Sequence, residues 1–336
     1  MQLPINLIQD YLQRVLVYHG ASLDDAMITA EVLIEGDRYG HPHHGINRIF
    51  QILEGVDQRT LFLNAKPKLL SEGPSFAVLD GQYGLGHPLG RRAMLLAVEK
   101  AQNTGVGVVG VINASHLGVL AYYTEIASQK NCIGISCTTS SPAVVVKGGK
   151  TKTFGTNPLS YSIPYMPHPL TADFATSKVS RGMIVDHAEN QKPISPHWAV
   201  DEEGKETTCP KKALAGGLKT FDGDIKGSLL SLLISVLAGN LLGGMSNHKI
   251  TGTRYMDEKP NKGDFFLALD VKQFTDLRNF QFGLEELTQF IRDQNADFRV
   301  PREKAYQEKR HEATMMEISP KLRKLFNSYE ERKRII

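Results

Sequence analysis

The chain has 336 residues, is 41% hydrophobic and 22% charged, and carries a net charge of +3. That composition excludes a disordered chain, and the length implies two domains or one domain with a large insertion. Its cations are scattered and the densest run, "YEERKRII", is diluted by glutamates, so there is no electrostatic footprint for nucleic acid.

Residues 5–19 follow the period of an amphipathic helix. The opening "MQLPINLIQDYLQRVL" has an early acid and no continuous apolar run, unlike a signal peptide. Ser22 is placed to N-cap a second helix, "SLDDAMITAEVLIEGDRYG", with acids in its first turn and glycine at its end. Next comes "GDRYGHPHHGINRIF", which sets three of the chain's 11 histidines within four positions. A helical period resumes in "HHGINRIFQILEGV", with Ile46, Ile49, Phe50 and Leu53 on one face. A helix starting near Gly45 leaves His44 at its N-terminal edge and Arg48 one turn on, pointing the same way.

The middle alternates. "SFAVLDG" reads as a strand, "PLGRRAMLLAVEKAQNTG" as a helix and "VGVVGVIN" as a buried strand. "GVLAYYTEIASQKN" reads as a helix, and "CIGISCTTS", "GTNPLSYSIP" and "LTADFATS" as strands. Residues 190–223 are polar and loop-rich. "GSLLSLLISVLAGNLLGG" falls short of a clean membrane span and is expected to be a buried core helix. "GDFFLALDVKQF" returns as a strand, and "LEELTQFIRDQ" and the C-terminal segment as helices. This is an α/β pattern (α+β mixed). The expected division is a mainly helical part, residues 1–70 plus 280–336, and a mixed sheet-and-helix part, residues 71–279. Cys132, Cys137 and Cys209 are few and irregularly spaced, which builds no disulfide framework and suits a reducing cytoplasm.

Two stretches invite specific chemistry. In "LDGQYGLGHPLGRRAM", Gly84, Gly86 and Gly90 follow a strand and open a helix, but the spacing is one residue too long for the dinucleotide fingerprint. The next strand also ends at Asn113 without a carboxylate. A glycine-rich turn before a packed helix explains the stretch equally. The histidines offer three readings: zinc, a catalytic acid, or a polar helix end. Against zinc, "HPHH" lacks the i, i+4 spacing, Pro42 interrupts the helix, and no cysteine is near. One histidine suffices as acid/base, and an arginine beside it can grip a carboxylate with a forked pair of hydrogen bonds. His44 with Arg48 supply that pair. His116 in "NASHLG" is a second candidate because it directly follows a strand.

The segments "GDRYGHPHHGINRI", "GVGVVGVINASHLGVLAYY", "FGTNPLSYSIP", "ADFATSKVSRGMI", "WAVDEEGKETTCPKKAL", "DIKGSLLSLLISVLAG" and "GDFFLALDVKQF" together resemble the malate/L-lactate dehydrogenase family that lacks a Rossmann fold. That family includes sulfolactate, ureidoglycolate, diketogulonate and cyclic-imino-acid oxidoreductases. They occur in the family's order over roughly residues 5–310. The resemblance implies a non-Rossmann fold, a homodimer, no membrane or nucleic-acid partner, NADH or NADPH as hydride carrier, and a small carboxylate as substrate. It carries the acid/base role to His44 or His116 and carboxylate binding to Arg48. Cofactor binding passes to Ser140, Asp173, Ala175, Thr176, Ser177, Lys226 and Gly227. No metal is implied.

This chain departs from the family at three places. His43 stands where serine is usual. Pro301-Arg302-Glu303 replaces a P-G-E segment, and Arg302 could meet a phosphate, which would favour NADPH. Lys147 before "GG" is unusual and unexplained by sequence. Two other readings stay open: a member that has lost catalysis and only binds a metabolite, and a metal hydrolase built on His41, His43 and His44.

Overall fold

Apolar residues at helical spacing decide the N-terminal architecture, here seen in a computed structural model that describes residues 1–295, 297–298, 302–308 and 310–333. The longer helices are α1 (Ile5–Tyr18), α2 (Leu23–Arg38), α3 (Ile49–Asp57), α4 (Gly86–Thr104), α5 (Ala121–Ser128), α6 (Arg181–Glu189), α7 (Ile225–Ala238), α8 (Leu277–Gln294) and α9 (Pro320–Lys333). Ile5, Ile8, Leu12, Val15 and Leu16 form the buried stripe of α1. They pack with Leu33 and Ile34 of α2, Ile49 and Ile52 of α3, and Leu322 and Phe326 of α9. Each such side chain contributes roughly 1.5–3 kcal/mol by leaving water. The chain's two ends therefore close one core, and Gln2–Pro4 pairs antiparallel with Met315–Glu317. Ser22 Oγ accepts the Asp25 N–H at 3.1 Å, as the sequence predicts for an N-cap.

The central sheet has seven strands: β1 (Lys68–Glu72), β2 (Phe76–Gly84), β3 (Val106–Ala114), β4 (Cys132–Thr138), β5 (Leu159–Ile163), β6 (Leu170–Phe174) and β7 (Gly263–Asp270). Their spatial order is β1-β2-β3-β7-β4-β5-β6. Only β2 and β3 pair in parallel; the other neighbours are antiparallel. This is the expected mixed α/β fold and not a doubly wound dinucleotide domain. A smaller sheet joins Val144–Val145, Lys152–Phe154, Ala199–Val200 and Gly217–Leu218.

The glycine-rich turn does stand in a strand–helix–strand unit, yet it cannot receive a phosphate. A side chain on Gly86 would lie 2.2 Å from Ser115 O, and one on Gly90 would meet Leu117 and Tyr123. The Gly86 N–H donates to Ser115 Oγ at 2.9 Å. The glycines serve close packing, and the helix start is sealed by the loop that carries His116.

One expectation about burial is corrected. In α7 one face is buried, but Ile225, Leu229, Leu232, Leu233 and Val236 on the other face are all more than 40% exposed. The segment Ile225–Leu242 is long and apolar enough to cross a membrane by composition alone, and its buried face packs on the protein.

Candidate active site

The polar turn after α2 is shaped by Asp37. Its Oδ2 accepts the Ile46 N–H at 2.6 Å, and its carboxylate fills the place a side chain on Gly45 would take. Burial pushes Asp37 up to about 6, with the Ile46 N–H pulling the other way. Extended backbone at Gly45 separates two 3₁₀ turns, Pro42–His44 and Ile46–Arg48. The regular helix therefore starts at Ile49 and not near Gly45, because the chain turns to meet Asp37 first. His44 and Arg48 still reach one cleft.

His116 arrives from the other side. Just before the end of β3, Asn113 sits at φ +56°, a left-handed position that asparagine tolerates, and the chain swings Ser115 and His116 over the sheet's end. The His44 and His116 rings stack with centroids 4.9 Å apart and planes 19° apart. The Gly118 N–H donates to His116 Nδ1 at 2.7 Å. That bond leaves the proton of a neutral ring on Nε2.

Arg48 is pinned between them and the fold. Its Nε donates to His43 O at 2.6 Å and Nη1 donates to Gln51 Oε1. Gln51 in turn donates to Thr253 O and Arg254 O, each at 3.1 Å. No carboxylate among the described residues pairs with Arg48, and burial lowers it to about 10. Burial, then the Arg48 charge, lower His44 to about 3. The same two causes hold His116 well below its usual value. The site is thus a deep cation beside two neutral imidazoles, an arrangement that favours an anion in the cleft.

The cleft measures about 810 Å³. It gathers His44, Arg48, His116, Ser140, Asp173, Ala175 and Ser177 from four separate stretches of the chain. Asp173 Oδ2 also accepts the Ala121 N–H at 3.0 Å, which ties the strand to the start of α5. Three expected cofactor residues stand elsewhere. Thr176 is fully buried behind the wall, its hydroxyl donating to Thr156 O at 2.9 Å and accepting from Ser231. Lys226 is exposed on the first turn of α7, outside the cleft lining, and the Gly227 N–H donates to Asp222 Oδ2 at 3.1 Å.

The three histidines of the cluster turn to different partners. His44 meets His116. His43 Nε2 lies 3.1 Å from Asp186 Oδ2 on α6, with its ring over Gly182. His41 lies at the mouth, where burial lowers its affinity for protons and Asp173 only partly offsets this. Among the described residues, no three of His, Cys, Asp or Glu are arranged to hold a metal ion.

The other departures also find partners within the chain. Pro301 lies outside the described residues. Arg302 is at φ +66°, so the backbone here favours glycine because it is left-handed. The Arg302 guanidinium lies 3.4 Å from the centre of the Tyr39 ring, 3.0 Å from Glu125 and 3.6 Å from Glu35. Its charge is balanced inside the protein, which removes it as an argument for a phosphate. Glu303 lies 3.3 Å from Arg292. Lys147 pairs with Asp224, the N-cap of α7.

Sequence reasoning passed over four residues. His87, on the first turn of α4, is 2% exposed and neither ring nitrogen has a protein partner among the described residues. A cavity of about 20 Å³ beside it, lined also by Arg48, Ser115 and His116, has room for one water. Lys262 and Asp264 form a fully buried ion pair at the cleft floor. Arg254 lines the cleft with its guanidinium over Tyr255 at 4.3 Å, and has no acidic partner among the described residues. Only "GLGHPLG" held a local signal; the others depend on strands brought together from afar.

With this geometry in view, the likenesses to known proteins are informative. The sequence profile described as malate/L-lactate dehydrogenase matches residues 3–324. The malate/(S)-sulfolactate dehydrogenase of Methanothermus fervidus is 34% identical over 304 residues, covering 90% of this chain and 89% of that protein. The Δ1-pyrroline-2-carboxylate reductase of Pseudomonas fluorescens is 32% identical, with 81% of each chain covered. The structure of sulfolactate dehydrogenase from Methanocaldococcus jannaschii superposes with a TM-score of 0.89 at 33% identity, covering 97% of this chain and 95% of that one. The protein is an oxidoreductase. It belongs to the malate/L-lactate dehydrogenase family.

Proposed function

We propose that the protein moves a hydride between NADH or NADPH and C2 of a small 2-oxo or 2-hydroxy acid, with Arg48 holding the carboxylate. The observation that carries this reading is Arg48 itself: a deep guanidinium with no acidic partner among the described residues, set beside two neutral histidines. Such a charge is costly unless a ligand balances it. Arg254, also without an acidic partner, supports a second anionic group on the substrate.

The donor set around the outer cleft fits a dinucleotide. Lys178 is a cation without an acidic partner among the described residues, and the Ser140 and Ser177 side chains line the same wall. A reduced nicotinamide would supply the hydride. Arg48 orients the carboxylate, and His116 Nε2–H donates to the oxygen on C2. His44, neutral in the protein alone, accepts the hydroxyl proton of a 2-hydroxy acid and returns it in the reverse reaction. Burial chiefly opposes the His44 imidazolium, and a carboxylate on Arg48 cancels the next effect, the Arg48 charge. Positioning and charge stabilisation account for the rest.

A cyclic 2-imino acid is the second reading, supported by the pyrroline-2-carboxylate reductase relative. The exposed apolar stripe of α7 supports a homodimer, and the free cysteines Cys132, Cys137 and Cys209 support a reducing cytoplasm. The test is loss of 340 nm absorbance with each reduced nicotinamide cofactor, against pyruvate, oxaloacetate, 2-oxoglutarate, sulfopyruvate, 2,3-diketogulonate and the cyclic imines. Turnover of an acyclic 2-oxo acid is expected. Failure of both cofactors to bind would overturn the reading.

A further inference from the structure

The register of β7 brings a lysine to the wall of the cleft that holds His44, Arg48 and His116. β7 runs antiparallel to both neighbours, with Gly263 opposite Ile112 of β3 and Asp264 opposite Thr138 of β4. Lys262, the residue before the strand, therefore sits where β3 hands over to the His116 loop and β4 to Thr139 and Ser140. Its carbonyl accepts the Asn113 N–H at 3.0 Å. Its side chain is 2% exposed and forms part of the cleft floor.

Lys262 Nζ donates to Asp264 Oδ1, which also accepts from Thr138 Oγ1 at 2.5 Å. Asp264 is the one side-chain acceptor that the described residues offer this ammonium, which has three N–H donors. Two remain for a ligand. Burial is the chief cause that depresses proton binding at His116 and His87, and the Lys262 charge adds to it at both. A structural ion pair would need no place at the cleft floor. A lysine whose direction is fixed by Asp264 and Thr138 there is preorganised to meet negative charge.

We propose that Lys262 is a catalytic residue: its ammonium, oriented by Asp264, donates to the oxygen on C2 and stabilises the alkoxide that develops as hydride arrives. The assignment rests on the hydride-transfer reading above. The carbonyl π pair moves to oxygen as the C–H bond forms, and the two electrons come with the hydride from the dihydronicotinamide, which is oxidised. Lys262 keeps its proton, sharing it with the oxyanion alongside His116 Nε2–H, while His44 exchanges the proton that completes the alcohol.

The experiment compares wild type with Lys262→Met and with Lys262→Met/Asp264→Asn, the double change avoiding an unpaired buried carboxylate. Reduced-cofactor binding is measured first, by fluorescence titration, and then kcat and KM for the 2-oxo acid that turns over. Losing one oxyanion donor costs about 10²–10³ in rate. Both variants should lose that factor in kcat, with KM within about threefold and cofactor affinity unchanged. A folded double variant with kcat within about fivefold of wild type would overturn the assignment alone. So would a matched loss of cofactor affinity, which marks a structural role. A wild-type protein that binds neither cofactor would overturn the hydride-transfer reading, and the Lys262 role with it.

Discussion

Replacing Arg48 with methionine separates function from stability. Burial lowers the guanidinium from 12.5 to about 10, so the native state bears about 3 kcal/mol to keep it charged at pH 7. Against that relief stand the two hydrogen bonds to His43 O and Gln51 Oε1, each roughly 1.5 kcal/mol or somewhat more for a charged donor. The opposing terms nearly cancel. Urea unfolding should place Arg48→Met within about 2 kcal/mol of wild type. The active site should not be so forgiving, because removing one partner of a desolvated charge pair costs about 2–5 kcal/mol. That corresponds to a fall in kcat/KM of about thirtyfold to several thousandfold for a carboxylate substrate. Oxalate should raise the melting temperature of wild type and leave the variant unmoved. The reasoning is refuted if stability falls by more than about 4 kcal/mol, or if kcat/KM stays within threefold.

The deep histidines should make the fold acid-labile. His44 and His87 are each lowered from 6.5 to about 3, and His116 is lowered too, chiefly by burial. Below pH 6.5 the unfolded chain binds protons that the native state refuses, so their stabilisation is whole above 6.5 and is lost as pH falls toward 3. Asp37, raised to about 6, opposes this over part of the range. His87→Gln should flatten the stability–pH slope between 6 and 4 by about 1.4 kcal/mol per pH unit, one proton's worth. An unchanged slope in urea titrations at several pH values would count against it. Arg302→Gly should relieve left-handed strain worth about 1 kcal/mol but strand Glu125, at about 3–5 kcal/mol, while Glu35 keeps Arg38 at 2.8 Å. A net loss of about 2–4 kcal/mol is expected by urea melt, with the NADH-to-NADPH preference unchanged. A switch in that preference would restore Arg302 as a phosphate contact.

Local rules were legible wherever neighbours in sequence are neighbours in space. The stripe of α1, the Ser22 cap and six of the sheet's seven strands follow from periodicity and turn chemistry, because a helix bonds to itself and a half-buried strand alternates its faces; the edge strand β1, exposed along its whole length, carries no such pattern. The His44–Arg48 pairing was visible for the same reason, although Asp37 delays the helix to Ile49. The non-Rossmann fold was foreshadowed by one misfit spacing of glycines and a missing acid, and the packing of Gly86 against Ser115 supplies the physical cause.

Residue types alone determined that this chain is a folded α/β protein with an arginine and histidines suited to a carboxylate substrate. Only the tertiary structure decided which of them act together. The stack of His44 on His116 joins residues 72 positions apart, and Lys262 reaches the cleft because β7 inserts between β3 and β4. It also decided that Thr176 faces inward, that Arg302 is neutralised by Glu125, and that α7 keeps an apolar face in the open. Burial and charge balance are properties of a whole enclosure. A sequence names the groups, but the cost of each charge depends on what the fold places around it.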